Sequence, residues 1–178
     1  MKSINLLLAK CSLIGVALLF VACGPNRDKE VKQISQMEET LREVEMVADS
    51  TTCNKMIGLY LDFVNHFPED SLSPIYLYHA SDLALNIGRY DKSLQCLHKI
   101  IENYPDFSEA STCYFLIGNA YEESEKYDSA VIAYNEFLEL YPDHPLAESA
   151  RFAVSNIGQP LEQVLQDLLA ANTKDSNK

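Results

Sequence analysis

Glycine and proline are scarce in this chain, 6 and 7 of 178 residues, and runs of β-branched residues are few. That shortage leans the chain toward helix. Positive charge is short as well: 14 Lys and Arg stand against 26 Asp and Glu, a formal net charge of −12. A polyanion repels phosphate backbones and anionic lipid head groups, so nucleic acid is set aside as a partner. No apolar run is long enough to span a bilayer; the longest candidate, Cys11 to Ala22, falls short of the roughly 20 residues a spanning helix needs. Chemistry-bearing patterns are missing too. His66, His79, His98 and His144 are scattered without zinc-type spacing, and no glycine-rich phosphate loop or Gly-x-Ser-x-Gly elbow occurs. Glu122, Glu123 and Glu125 cluster, but as solvated carboxylates near a helix end. No catalytic residue, metal site or cofactor is expected, and the chain reads as a non-enzyme. What is present is apolar content of 47%, ample for one domain with a core rather than a disordered chain.

That apolar content is periodic. Tyr127, Val131, Tyr134, Leu138 and Tyr141 are spaced by four, three, four and three, one face of a helix, closed by Pro142, which cannot continue it. Thirty-seven residues upstream the row recurs as Tyr90, Leu94, Leu97, Ile101 and Tyr104 before Pro105. The same step again gives Cys53, Ile57, Tyr60, Val64 and Phe67 before Pro68. Three copies of one face, each ending in aromatic-proline, make a repeat protein.

The repeats divide the chain into units at about 31–70, 71–107, 108–144 and 145–171, followed by a polar tail over 172–178. Two readings stand for Val31 to Ala48, a coiled-coil strand or the first helix of a worn unit packing on Cys53 to Phe67. Ser71, Ser73 and Pro74 form a start signal for the next helix, which runs to Asn86-Ile87-Gly88, where Gly88 can supply a left-handed cap. Ser108 opens the next pair, whose first helix ends near Glu123 without a glycine. The last unit opens at His144-Pro145 and reaches Asn156-Ile157-Gly158 about a turn early. Pro160 then starts a closing helix with Leu161, Val164, Leu165, Leu168 and Leu169 on one side and Glu162, Gln163, Gln166 and Asp167 on the other. A polar outer face is what a terminal cap requires.

Gly118, Tyr121, Tyr127, Ala130, Tyr134 and Pro142 resemble the tetratricopeptide repeat signature. Gly88, Tyr90 and Pro105 repeat part of it, with Ser81 and Ser93 in place of the glycine and alanine; the first copy keeps Tyr60, Phe63 and Pro68, with Met56 at the small position. The resemblance covers roughly residues 30 to 158 and implies an all-α fold, a right-handed α-solenoid of helix-turn-helix repeats with a C-terminal capping helix. Small Gly118 and Ala130 would let paired helices approach, while the tyrosines fill space between units.

The N-terminus reads as an address. Lys2 and Lys10 precede the apolar run, which ends Phe20-Val21-Ala22-Cys23-Gly24. This resembles the lipobox of bacterial lipoproteins, with Phe20 where leucine is usual. The resemblance implies a signal peptide over 1–22, lipidation of Cys23, and a polar tether over 23–30; an ordinary signal cut near Ala22 is the alternative. Removing the two signal cations from −12 leaves the mature chain at −14. Gly24-Pro25-Asn26 lacks the aspartate that resembles an inner-membrane retention signal, which favours the outer membrane with the protein on its periplasmic face. A lipid anchor joined to a stretched repeat resembles the β-barrel assembly lipoprotein and the Tol-Pal coordinator proteins.

Steps of 37 also link Tyr78, Phe115 and Phe152, and likewise Asp82, Asn119 and Asn156. Leu41 and Glu45 would continue the two rows. In such solenoids first helices line a concave groove, so an aromatic row beside an amide and carboxylate row is a candidate peptide groove; the competing reading packs the aromatics inward. The carboxylate clamp of chaperone-binding repeat proteins, a lysine, asparagine and arginine cluster for acidic chain ends, is excluded, because Tyr78, Phe115 and Glu122 occupy its places. Of the cysteines left after Cys11 and Cys23, Cys53 reads as a small apolar residue, and Cys96 and Cys113 lie on consecutive helices, within reach of a disulfide or as free thiols. The expected function is a lipid-anchored periplasmic scaffold that docks a partner protein in envelope or outer-membrane assembly. Capture of glycan or peptidoglycan fragments through tyrosines is the alternative.

Overall fold

The computed structural model describes residues 24–43, 49–160, 162–166 and 169. The expected signal, the lipid site Cys23, Val44 to Ala48, and the 172–178 tail lie outside the described residues. Seven helices follow in order: α1 (Arg27–Glu43), α2 (Ser50–His66), α3 (Ser73–Asn86), α4 (Tyr90–Asn103), α5 (Ala110–Glu123), α6 (Tyr127–Leu140) and α7 (Ala147–Asn156), with a further helical stretch at 162–166. Each helix packs on the next along the chain, and no strand occurs among the described residues. The fold is an α-solenoid of helical repeats.

The 37-residue step is written into the backbone. Phe67, Tyr104 and Tyr141 end α2, α4 and α6 with nearly one conformation, φ/ψ of −132/59°, −134/55° and −135/60°. Each donates its N–H to the carbonyl four residues back at 2.8 Å, on Phe63, Ile100 and Phe137. Each then accepts from the N–H three residues on, at Asp70, Phe107 and His144. The proline after the aromatic fixes this exit, since it cannot donate to a continuing helix.

The turn between helices of a pair shows the same economy. Gly88 follows α3 at φ +71°, and Arg89 N–H reaches back to the Ala84 carbonyl at 2.7 Å. One step later Glu125 holds φ +59°, and Lys126 N–H reaches the Tyr121 carbonyl at 2.9 Å. The missing glycine after α5 therefore leaves the turn unchanged and moves its strain onto a glutamate, which L-residues tolerate poorly there.

Boundaries differ from the sequence expectation where capping chemistry intervenes. The polar tether expected over 23–30 is helical from Arg27, because Asn26 Oδ1 accepts the Lys29 N–H at 2.9 Å and Asp28 and Glu30 suit the first turn. An Asp49 cap, accepting from Thr51 and Thr52 N–H, starts α2 at Ser50 rather than Cys53. Ser73 does not cap α3. It lies inside the helix, and its hydroxyl donates to the Phe67 carbonyl at 2.6 Å, tying the turn to the preceding helix. The helices after Ser108 and His144 begin at Ala110 and Ala147; α7, 10 residues against 14 in α5, is the expected short one.

One core runs from Ile34 of α1 through α2, α3 and α4 to Ile117, Ala120 and Ala133. A second, smaller one gathers Ala130, Tyr134, Phe137 and Ala150. Gly118 sits directly under the Tyr134 ring: a methyl added there would lie 2.5 Å from its Cδ1, so the glycine is the room the tyrosine occupies. Tyr127, expected to fill space between units, is instead exposed and covers the turn at Gly158. The closing stretch seals this end incompletely: Val164 is buried, while Leu165 and Leu169, expected on its apolar side, are 51% and 66% exposed.

Cys96 and Cys113 are buried free thiols, so they form no disulfide. Burial pushes Cys96 up to about 11 and Cys113 to about 12, which disfavours the thiolate in both. Cys53 is buried, as its packing position predicts.

Candidate functional site

Four of the six predicted groove residues come together. Phe115 and Asn119 on α5 and Phe152 and Asn156 on α7 line one cavity of about 400 Å³, with Glu122, Tyr134 and Val164. The spacing explains it. Phe115, Asn119 and Glu122 are four and three apart on α5, while Phe152 and Asn156 are four apart on α7, so each helix turns one stripe toward the other.

Tyr78 and Asp82 lie a unit away on α3 and do not line this cavity. Tyr78 packs inward, its ring edge-on to Phe107 at 6.1 Å; Asp82 is exposed. Leu41 packs against the main core, and Glu45 lies outside the described residues. The aromatic row thus divides. Phe115 is partly buried, with its ring 5.4 Å from Tyr134 and 5.7 Å from Phe137. Phe152 is 49% exposed and presents its ring to any occupant.

The amides are less available than a backbone-pairing row requires. Asn156 Nδ2 donates to the Phe152 carbonyl of its own helix at 2.7 Å, and Asn119 lies near the Tyr134 hydroxyl. Beneath them Tyr134, buried, donates its hydroxyl to Glu122 Oε2 at 2.7 Å. Burial first, then this bond, holds the phenol well above its ordinary range. The sequence alone places Glu122 on a solvated helix end and Tyr134 in the core; their pairing makes the polar floor of the cavity. The signal was the position of Glu122, one helical turn beyond Asn119 on the same stripe.

The arrangement offers one exposed ring, a partly buried ring, apolar Val164 and one carboxylate. Nothing here is placed as a nucleophile beside a base, and among the described residues no cluster of His, Cys, Asp and Glu could hold a metal ion.

Tetratricopeptide repeat family models match residues 76–106 and 111–144. The two matched segments are the α3–α4 and α5–α6 pairs. The matches support a tetratricopeptide repeat protein. Such repeats serve protein–protein interaction and are generally non-catalytic scaffolds, and the helix pairs of this repeat chain carry its cavity between α5 and α7. Comparison with curated proteins gives no match.

Proposed function

We propose that this repeat chain is a non-catalytic scaffold that docks a partner protein in the cavity between α5 and α7 while a lipid on Cys23 holds it to the periplasmic face of the outer membrane. Its place there is cell-envelope or outer-membrane assembly. The observation that carries the docking reading is the half-exposed Phe152 beside Phe115 and Glu122, in a cavity of about 400 Å³. An exposed aromatic rimmed by polar groups is how a binding anchor differs from a core residue. The anchor rests on Phe20-Val21-Ala22-Cys23; two or three acyl chains, at ~0.8 kcal/mol per buried methylene, hold a protein to a membrane essentially permanently.

The glycan reading lacks a platform. Of the ten tyrosines only Tyr127 is exposed; the others are buried or partly buried. Two measurements test the proposal. Cys23→Ser is expected to abolish acylation of the protein, read by labelling cells with a fatty acid, and undiminished labelling would contradict the anchor. Co-purification from envelope extracts is expected to recover a defined protein that Phe152→Ala loses, and equal recovery by both forms would remove the cavity from the docking surface.

A further inference from the structure

Resting on that docking reading, we infer that the occupant of the α5–α7 cavity is a cationic amphipathic segment of the partner, one that places a Lys or Arg within a helical turn of an apolar side chain.

Charge carries this. From Glu102 to Gln159 the chain has eleven acids and two cations, Lys126 and Arg151. Both cations are engaged elsewhere: Lys126 Nζ lies 3.2 Å from Asp91, and Arg151 Nη1 lies 2.6 Å from Glu148. Among the described residues no cation pairs with Glu122, and none lines the cavity. The other end of the solenoid treats a like pair differently. There Tyr60 donates to Glu38 Oε1 at 2.7 Å, and His79 Nδ1 stands 3.9 Å from the same oxygen. The chain supplies a nitrogen base to Glu38 and leaves Glu122 without one.

The apolar half of the occupant follows from Phe152 and Val164. The half-exposed ring and the buried valine flank Glu122 in one cavity, so an apolar side chain on the ring and a cation at the carboxylate would be satisfied together. An acidic segment would meet Glu122 inside a half of the molecule that carries nine more acids than cations, and like charges at close range repel.

The test places a photo-crosslinking amino acid at Phe152 in the full-length lipidated protein, in the cells that make it, and sequences the crosslinked segment. A segment bearing Lys or Arg within a turn of an apolar residue is expected. A synthetic peptide of that segment should bind the purified protein with affinity that falls as salt rises, and Glu122→Gln should weaken it about fivefold, the loss of one partly exposed charge pair of about 1 kcal/mol. That variant keeps an acceptor for the Tyr134 hydroxyl, so the fold is not at stake. An acidic or uncharged segment, the chain's own 172–178 tail, a second copy of the chain, or unchanged affinity in Glu122→Gln would each overturn the inference. Of these, an acidic or uncharged partner segment leaves the docking reading standing, whereas no protein crosslink at all would defeat both.

Discussion

The α3–α4 and α5–α6 pairs share one backbone and differ in what they pack between their helices. At one pair of positions α3–α4 has Ser81 and Leu97, both buried; 37 residues on, α5–α6 has Gly118 and Tyr134. Volume removed from one helix is added to the other, as close packing demands. Leucine carries no hydroxyl, and the counterpart of Glu122 is Leu85, so α3–α4 has no polar floor. The outer face changes too: Gln95 and Asn103 of α4 become Ile132 and Leu140 of α6, both exposed. A repeated set of turns thus fixes where helices go, and the side chains exchanged on that frame give the α5–α6 pair the polar floor that α3–α4 lacks.

Four substitutions break or sharpen that comparison. Tyr134→Ala empties the second core and should cost about 3–5 kcal/mol, read as a lower urea midpoint; an unchanged midpoint would refute the packing. Gly118→Ala should cost roughly 1–3 kcal/mol by overpacking, since the new methyl would sit 2.5 Å from the tyrosine ring. The same substitution in a Tyr134→Leu background should be far milder, because leucine beside a small residue is the α3–α4 solution; a double-mutant cycle reads the coupling. By contrast Gly58→Ala, with nothing within 4 Å of its added methyl, should gain up to about 1 kcal/mol in helix propensity.

Smaller effects lie at the turn and at one buried hydroxyl. Glu125→Gly copies the Gly88 turn and should stabilise by roughly 0.5–1 kcal/mol, the relief of a left-handed φ less the extra chain entropy of glycine; a lower thermal midpoint would count against that turn. Ser93 is buried and its Oγ has no hydrogen-bond partner. Replacing it by the alanine that α6 already carries at 130 should stabilise by about 1 kcal/mol, again visible in a thermal melt.

The helix pairs, the aromatic-proline exits and the Gly118 approach were legible because they repeat, and a step of 37 separates packing positions from the rest. Four residues that line the cavity were legible for the same reason. What the sequence could not assign was direction and partner. Tyr78 and Phe115 occupy one register, yet Tyr78 turns onto Phe107 while Phe115 reaches the cavity, a choice set by contacts across units rather than by spacing. Tyr134 looked like pure packing because its ring is; its hydroxyl acquires a role only once α5 brings Glu122 to 2.7 Å. The start of α1 is not legible because its cap is a single asparagine side chain, and amphipathic spacing turns Leu165 and Leu169 inward without saying whether a partner surface exists.

Hydrogen–deuterium exchange on the full-length protein, free and with a co-purified partner, tests most directly the proposal that recognition belongs to the α5–α7 end. Slowed exchange confined to α5, α7 and 162–166, with α3 and α4 unchanged, is expected. Slowing centred on α3 and α4, with α5 and α7 unaffected, would contradict it.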